Sequence, residues 1–339
     1  MLAGMTLFCA LTCFTARSDQ ALKRPFDGFN VIVSPGHPFG GSSATLALTK
    51  AKLLGARAAA IVPFLWQSDP SNPDLVRGRD MNDDELRAAI RTTHDIGLSV
   101  LIKPHVWVPG SWAGAVAMKS EQAWANWFAN YRHEVLRIAH IADEEKADAL
   151  VIGTELDGTV QRPEWDGLIV DARGIYSGRL LYVAHSVEEA EKVPFWAKLD
   201  NVGVSLYPPL GTDCDRDGWG VMMRDVADRL DTLAAQTGKS VIVGEVGLRS
   251  ARGAAEKPWE SPEERAARPD PAIQAEVLSD WLSILNRPAI SGVLVWRWFT
   301  DPDAGGMDDT DFTVQGKPAE RVLKCDWTRS CHDSGVASH

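Results

Sequence analysis

The sequence predicts a single α/β domain of the (β/α)8 type, a TIM barrel. Three observations predict it. Short apolar, β-branched runs alternate with segments of helical period from about residue 28 to residue 300, the pattern of βα units on a parallel sheet. The runs number eight, the count of a closed barrel, within a chain length that such barrels use as one domain. The first run leads into Ser34-Pro35-Gly36-His37-Pro38-Phe39-Gly40-Gly41. That stretch is rich in glycine, but it lacks the G-x-G-x-x-G spacing that an open, nucleotide-binding sheet carries there, and its prolines remove N–H donors.

Taken in order, the strand candidates begin near Asn30, Ala58, Ser99, Ala149, Leu180, Val202, Ser240 and Ser291. Between them lie helical stretches. The clearest runs from Glu121 to about Ala142, where Trp124, Phe128, Tyr131, Val135, Ile138 and Ile141 recur at three- or four-residue spacing and make one apolar face. Another runs from Asp84 to Ile96 and is opened by Asn82 as N-cap. The charged, proline-rich segment from Glu256 to Pro271 reads as a long mobile loop after the seventh strand.

The ends of the chain read differently. Leu2 to Phe14 is an almost unbroken apolar run followed by Ala16-Arg17-Ser18, the length of a signal-peptide core and too short to span a bilayer. Residues 1–20 are therefore expected to be a signal peptide, 21–325 the barrel, and 326–339 a C-terminal tail, with the protein secreted or periplasmic. No later stretch has the roughly 18 consecutive apolar residues of a spanning helix. Of the five cysteines, Cys9 and Cys13 fall in the presumed signal, and Cys214 stands alone. Cys325 and Cys331 bracket a short loop and are either a disulfide of an oxidising compartment or two free thiols.

The formal net charge of −11, with no basic stripe, excludes a nucleic-acid partner. The eight histidines are scattered, with no H-x-H or H-E-x-x-H, so neither a catalytic metal nor another cofactor is expected. Thirteen tryptophans stand against four tyrosines. Such a surplus suits sugar binding, because a pyranose presents an apolar C–H face that stacks on indole.

In a barrel, chemistry is carried at the C-terminal ends of the strands. Two glutamates stand there, each after an apolar strand and a glycine: Val151-Ile152-Gly153-Thr154-Glu155 and Val241-Ile242-Val243-Gly244-Glu245. A carboxylate at such a place loses hydration, so it needs either a structural partner, for which Arg249 and Arg297 are the nearest candidates, or a catalytic use. Two of them, ending the fourth and seventh strands, are what glycosidic cleavage requires: one protonates the leaving oxygen, the other attacks or activates water. Further strand-end candidates for substrate contact are Trp66, Lys103, His105, Thr154, Tyr207 and Trp296, with Trp107 beside them and His185 a weaker one.

These motifs, Ile152-Gly153-Thr154-Glu155-Leu156 and Gly244-Glu245-Val246-Gly247, resemble glycoside hydrolase family 113 of clan A, which contains β-1,4-mannanases. The likeness continues through Trp296-Arg297-Trp298, Gly305-Gly306 and Gly316-Lys317-Pro318-Ala319-Glu320, and runs from Gly28 to about Leu323. The resemblance implies a retaining hydrolase of a β-linked polysaccharide, β-1,4-mannan or a related β-hexan, with Glu155 as acid/base and Glu245 as nucleophile. Glu155 is then expected to have a raised pKa and Glu245 a depressed one. Most clan A enzymes place Asn before the acid, where it bonds the substrate 2-hydroxyl; here that position is Thr154. The alternatives are a hydrolase of a bacterial exopolysaccharide and a non-catalytic glycan-binding barrel. The sequence does not fix the oligomeric state.

Overall fold

The computed structural model describes residues 24–78 and 81–331, so the expected signal peptide lies outside the described residues. Eight parallel strands close into a barrel: β1 (Gly28–Ile32), β2 (Ala58–Ile61), β5 (Ser99–Ile102), β7 (Ala149–Thr154), β8 (Arg179–Ala184), β9 (Asn201–Leu206), β10 (Val241–Val246) and β11 (Ile290–Phe299). Each is followed by a helix: α1 (Ser42–Leu53), α2 (Asp83–Ile96), α3 (Glu121–Glu144), α4 (Glu164–Ile175), α5 (Val187–Ala190), α6 (Arg216–Thr237), α7 (Pro271–Ile284) and α8 (Ala319–Thr328). This is the (β/α)8 barrel that the alternating runs predict.

Alternate strand residues divide the core in two. Ala58, Ala60, Leu101, Ala149, Val151, Leu181, Val183, Ile242 and Leu294 fill the barrel interior. Their neighbours on the other face, such as Ala59, Ile61, Val100, Ile102, Leu150 and Val293, pack beneath the helices. Helix α2 shows why its start was legible: the Asn82 side chain accepts from the N–H groups of Asp84 and Glu85, and Glu85 closes a reciprocal capping box.

Three short strands were not foreseen as a separate unit. β3 (Phe64–Trp66), β4 (Val76–Arg77) and β6 (His105–Trp107) form a small sheet in the order β4-β3-β6. Pro63 and Pro104 interrupt the barrel strands just before it. Buried Gln67 fastens it down: its N–H donates to Trp107 O (2.9 Å), and its side-chain oxygen accepts from Trp127 Nε1 on α3 (2.9 Å).

Two expectations are corrected. The segment after β10 is tied rather than loose, because the buried Arg249 donates to Ser261 O (3.2 Å), Arg265 O (3.1 Å) and Thr310 O (3.1 Å). The folded part also extends past residue 325: Trp327 is buried, with its ring 5.0 Å from that of Phe29, and Cys325 is disulfide-bonded to Cys331. Among the described residues, no helix is long and apolar enough to cross a membrane.

Candidate active site

Both candidate glutamates sit at the C-terminal ends of their strands, and the chain reaches each by the same device. The ladder between β7 and β8 is irregular between Val151 and Thr154, and that between β10 and β9 between Val243 and Glu245. A bulge of this kind re-aims the side chain that follows it. It also takes a carbonyl out of the ladder, and a buried side chain answers each one: Tyr131 Oη donates to Ile152 O (2.8 Å), and Asn30 Nδ2 to Gly244 O (2.9 Å).

The two glycines of the motifs are steric requirements of the bulges. A Cβ on Gly153 would lie 2.6 Å from the Trp165 ring and 2.8 Å from that of Tyr182, and one on Gly244 would lie 2.7 Å from Val183. Glu155 itself has φ 57°, in the left-handed region that glutamate seldom occupies. It is held there by its own N–H to Val183 O (2.8 Å) and by the next residue, whose N–H donates to Tyr182 Oη (3.0 Å). Tyr182 in turn donates to Glu189 (2.6 Å), which also accepts the His185 N–H (2.6 Å). One buried carboxylate thus fixes the loops after both β7 and β8.

Around Glu245, Lys103 and Tyr207 converge. Lys103 is fully buried, and its ammonium pairs with Oε1; Tyr207 Oη donates to Oε2 at 3.0 Å. The Lys103 Nζ lies 5.3 Å from the centre of the Trp296 ring, and the Tyr207 ring meets Phe312 edge-on at 6.2 Å. Lys103 therefore faces the carboxylate from within the barrel, not the open cleft. Trp296 is half-buried above it and joined to Arg297 by a cis peptide.

Around Glu155 stand two imidazoles. His185 Nδ1 is 3.3 Å from Oε2, and His105 stands close enough that its charge, when it is protonated, also favours the ionised carboxyl. His105 is so deeply placed that burial draws its pKa down to about 4, and its Nδ1 has no partner in the protein. Thr154 is buried, and its hydroxyl donates to Pro104 O at 2.9 Å. At 1% exposure it lies beneath the surface of the site. Trp66 and Trp107 lie farther out on the small sheet, 43% and 42% exposed, with their rings 6.1 Å apart.

The expected ordering of the two acids is reversed. Burial works to raise Glu155, but the His185 contact and charge, helped by His105, outweigh it and bring it to about 2. Burial raises Glu245; Lys103 and Tyr207 work to lower it, the Glu155 charge opposes them, and it remains above the ordinary carboxylate value. Burial likewise works against a charged His185, yet Glu155 lifts its pKa. The reversal comes from a histidine at the end of the neighbouring strand.

The bland explanation for two buried glutamates, pairing with arginine, fails on partners. Arg297 is engaged by Asp311 (3.0 Å for Nε to Oδ1), and Arg249 by loop carbonyls and Glu260. What remains is a pair of carboxyls that feel each other's charge at one barrel mouth, the equipment of acid-assisted displacement at a glycosidic carbon. The model of Glycoside Hydrolase Family 113 matches residues 32–317. The chain belongs to that family. It is accordingly a glycoside hydrolase, and its substrate is a carbohydrate.

Among solved structures, it is similar to the family 113 β-mannanase AaManA from Alicyclobacillus acidocaldarius in complex with ManMIm, at 22% identity and a TM-score of 0.79, covering 91% of this chain and 99% of that one. A family 113 β-1,4-mannanase described as a complex structure is 24% identical with a TM-score of 0.79, covering 89% and 98%. More distantly, a β-glucuronidase from Ruminococcus gnavus gives a TM-score of 0.58 at 12% identity, over 89% of this chain and 49% of that one. Against curated proteins the chain has no match.

Proposed function

We propose that the protein hydrolyses a β-1,4-linked mannan with retention of configuration, Glu245 acting as nucleophile and Glu155 as acid/base. The observation that carries the reading is the contrast between two neighbouring carboxyls. Glu245 is gripped by a buried ammonium and a phenol, which fix its position. Glu155 stands 3.3 Å from an imidazole, a neighbour able to hand it a proton and take one back, as an acid/base requires. The similar structures named β-mannanases support the choice of mannan.

In the proposed sequence, Glu245 attacks C1 while the proton shared by Glu155 and His185 passes through Glu155 to the leaving oxygen. Glu155, now a base, then takes a proton from water, which displaces Glu245 from C1. Lys103 and Tyr207 hold the departing carboxylate in place. His105, neutral because of its burial, offers its free Nδ1 to a sugar hydroxyl in place of the engaged Thr154. Trp66 and Trp107 continue the groove outward as stacking platforms for a polymer.

Variants at the two glutamates test the roles. Glu245→Ala is expected to abolish turnover of every substrate. Glu155→Ala is expected to cripple cleavage of mannan but to spare the first step with an aryl leaving group of low pKa, which needs no proton. Azide is expected to rescue Glu155→Ala and give the β-glycosyl azide, read by NMR of the anomeric proton. An α-azide from that variant reverses the two roles, and wild-type protein that ignores mannan but cleaves another β-glycan overturns the substrate alone.

A further inference from the structure

Trp112 has no part in the account above, yet it is built into the site. It lies on the turn after β6, is 41% exposed, and its ring sits 4.4 Å from that of His185, tilted by 47°. His185 is the residue in contact with Glu155. The indole is also locked from below: a Cβ on Gly114 would fall 2.1 Å from its six-membered ring, so the ring occupies the space that any larger residue would fill. The turn Ala113–Ala115 that carries Gly114 packs on the turn Asp157–Thr159 just after Glu155; there a Cβ on Gly158 would lie 2.5 Å from Val116 O. An indole that is 41% exposed is thus seated against the support of the acid. The exposed part of an indole placed this way is apolar surface on which a sugar can pack.

We infer that Trp112 and His185 form the seat of the leaving sugar, the +1 subsite, and therefore also of an acceptor sugar in transfer. The inference rests on the assignment of Glu155 as acid/base, because the acid stands on the leaving-group side of the scissile bond. In transfer, the acceptor hydroxyl oxygen attacks C1. The bond from C1 to Glu245 breaks with its electron pair returning to the carboxylate, and the hydroxyl proton passes to Glu155. Hydrolysis consumes the same glycosyl-enzyme, with water in place of the acceptor and the same base.

That shared base makes the test specific. The ratio of transfer to hydrolysis does not depend on how strong a base Glu155 is, so a change in His185 or Glu155 ionisation cancels from it. Only the hold on the acceptor remains. With 4-nitrophenyl β-mannobioside as donor and β-1,4-mannobiose as acceptor below saturation, Trp112→Ala is expected to lower the transfer-to-hydrolysis ratio about tenfold, the equivalent of about 1.4 kcal/mol. Gly114→Val, which drives the ring from its seat while leaving the ring present, is expected to lower it as well. An unchanged ratio in Trp112→Ala overturns the subsite while leaving the hydrolase reading intact. So does a wild type that hydrolyses the donor but passes none of it to mannobiose. A wild type that does not turn over the donor or any β-mannan overturns both.

Discussion

Replacing Lys103 by methionine isolates the electrostatic support of Glu245. The two side chains are of similar length, so the exchange removes charge with little change of shape. The Lys103 side chain is 0% exposed and that of Glu245 6%, and the other donor to the carboxylate is Tyr207 at 3.0 Å. Removing one partner of so deeply buried a pair costs about 3–5 kcal/mol. Glu245 can relieve part of that cost by binding a proton. Its pKa is already raised by burial, against which Lys103 is the main opposing influence, so the variant raises it further. A carboxyl raised above its unfolded value stabilises the fold while protonated, and that stability is lost as pH rises through the folded pKa. The deficit of Lys103→Met is therefore expected to be largest at neutral pH and above, and to shrink in acid. Urea unfolding at a series of pH values measures it. In parallel, the acidic limb of the kcat/KM profile is expected to move to higher pH, because the nucleophile must be ionised. A deficit that is the same at every pH, or an acidic limb left where the wild type has it, refutes the argument.

Three further outcomes are expected. His185→Gln removes the contact that lowers Glu155, so the Glu155 carboxyl should titrate at higher pH, followed by 13C NMR with Glu155→Gln as the assignment control. Tyr207→Phe deletes a hydrogen bond to a charged group and should lower kcat/KM by an amount equivalent to about 1.5–3 kcal/mol, with the fold retained by circular dichroism. Gly153→Ala places a methyl group against Trp165 and Tyr182 and should cost about 1–3 kcal/mol in denaturant unfolding, whatever substrate the enzyme takes.

The parts legible in the sequence were those written in contiguous residues. All eight barrel strands announce themselves as short apolar runs because both of their faces are buried. The glutamates were visible because a carboxylate closing such a run contradicts its surroundings. The small sheet was not visible: β3, β4 and β6 are three, two and three residues long, too short to display a period. The finer design of the site was hidden for a different reason. Thr154 meets Pro104, Asn30 meets Gly244, and His185 meets Glu155 across separations of 50, 214 and 30 residues. Trp112 stands in a turn with no periodic pattern, and its importance lies only in what it touches. The reversed acidities belong to the same class, since they are properties of a cluster and of no single residue.

The left-handed backbone at Glu155 has a further consequence. A residue with a Cβ held at φ 57° costs the fold roughly 1–2 kcal/mol, and asparagine or glycine would relieve it. At this one position the backbone therefore works against the fold, while the contact with His185 works for it. The gain in melting temperature of Glu155→Asn over its parent should accordingly be largest in strong acid, where the pairing with His185 is lost, and smallest at neutral pH.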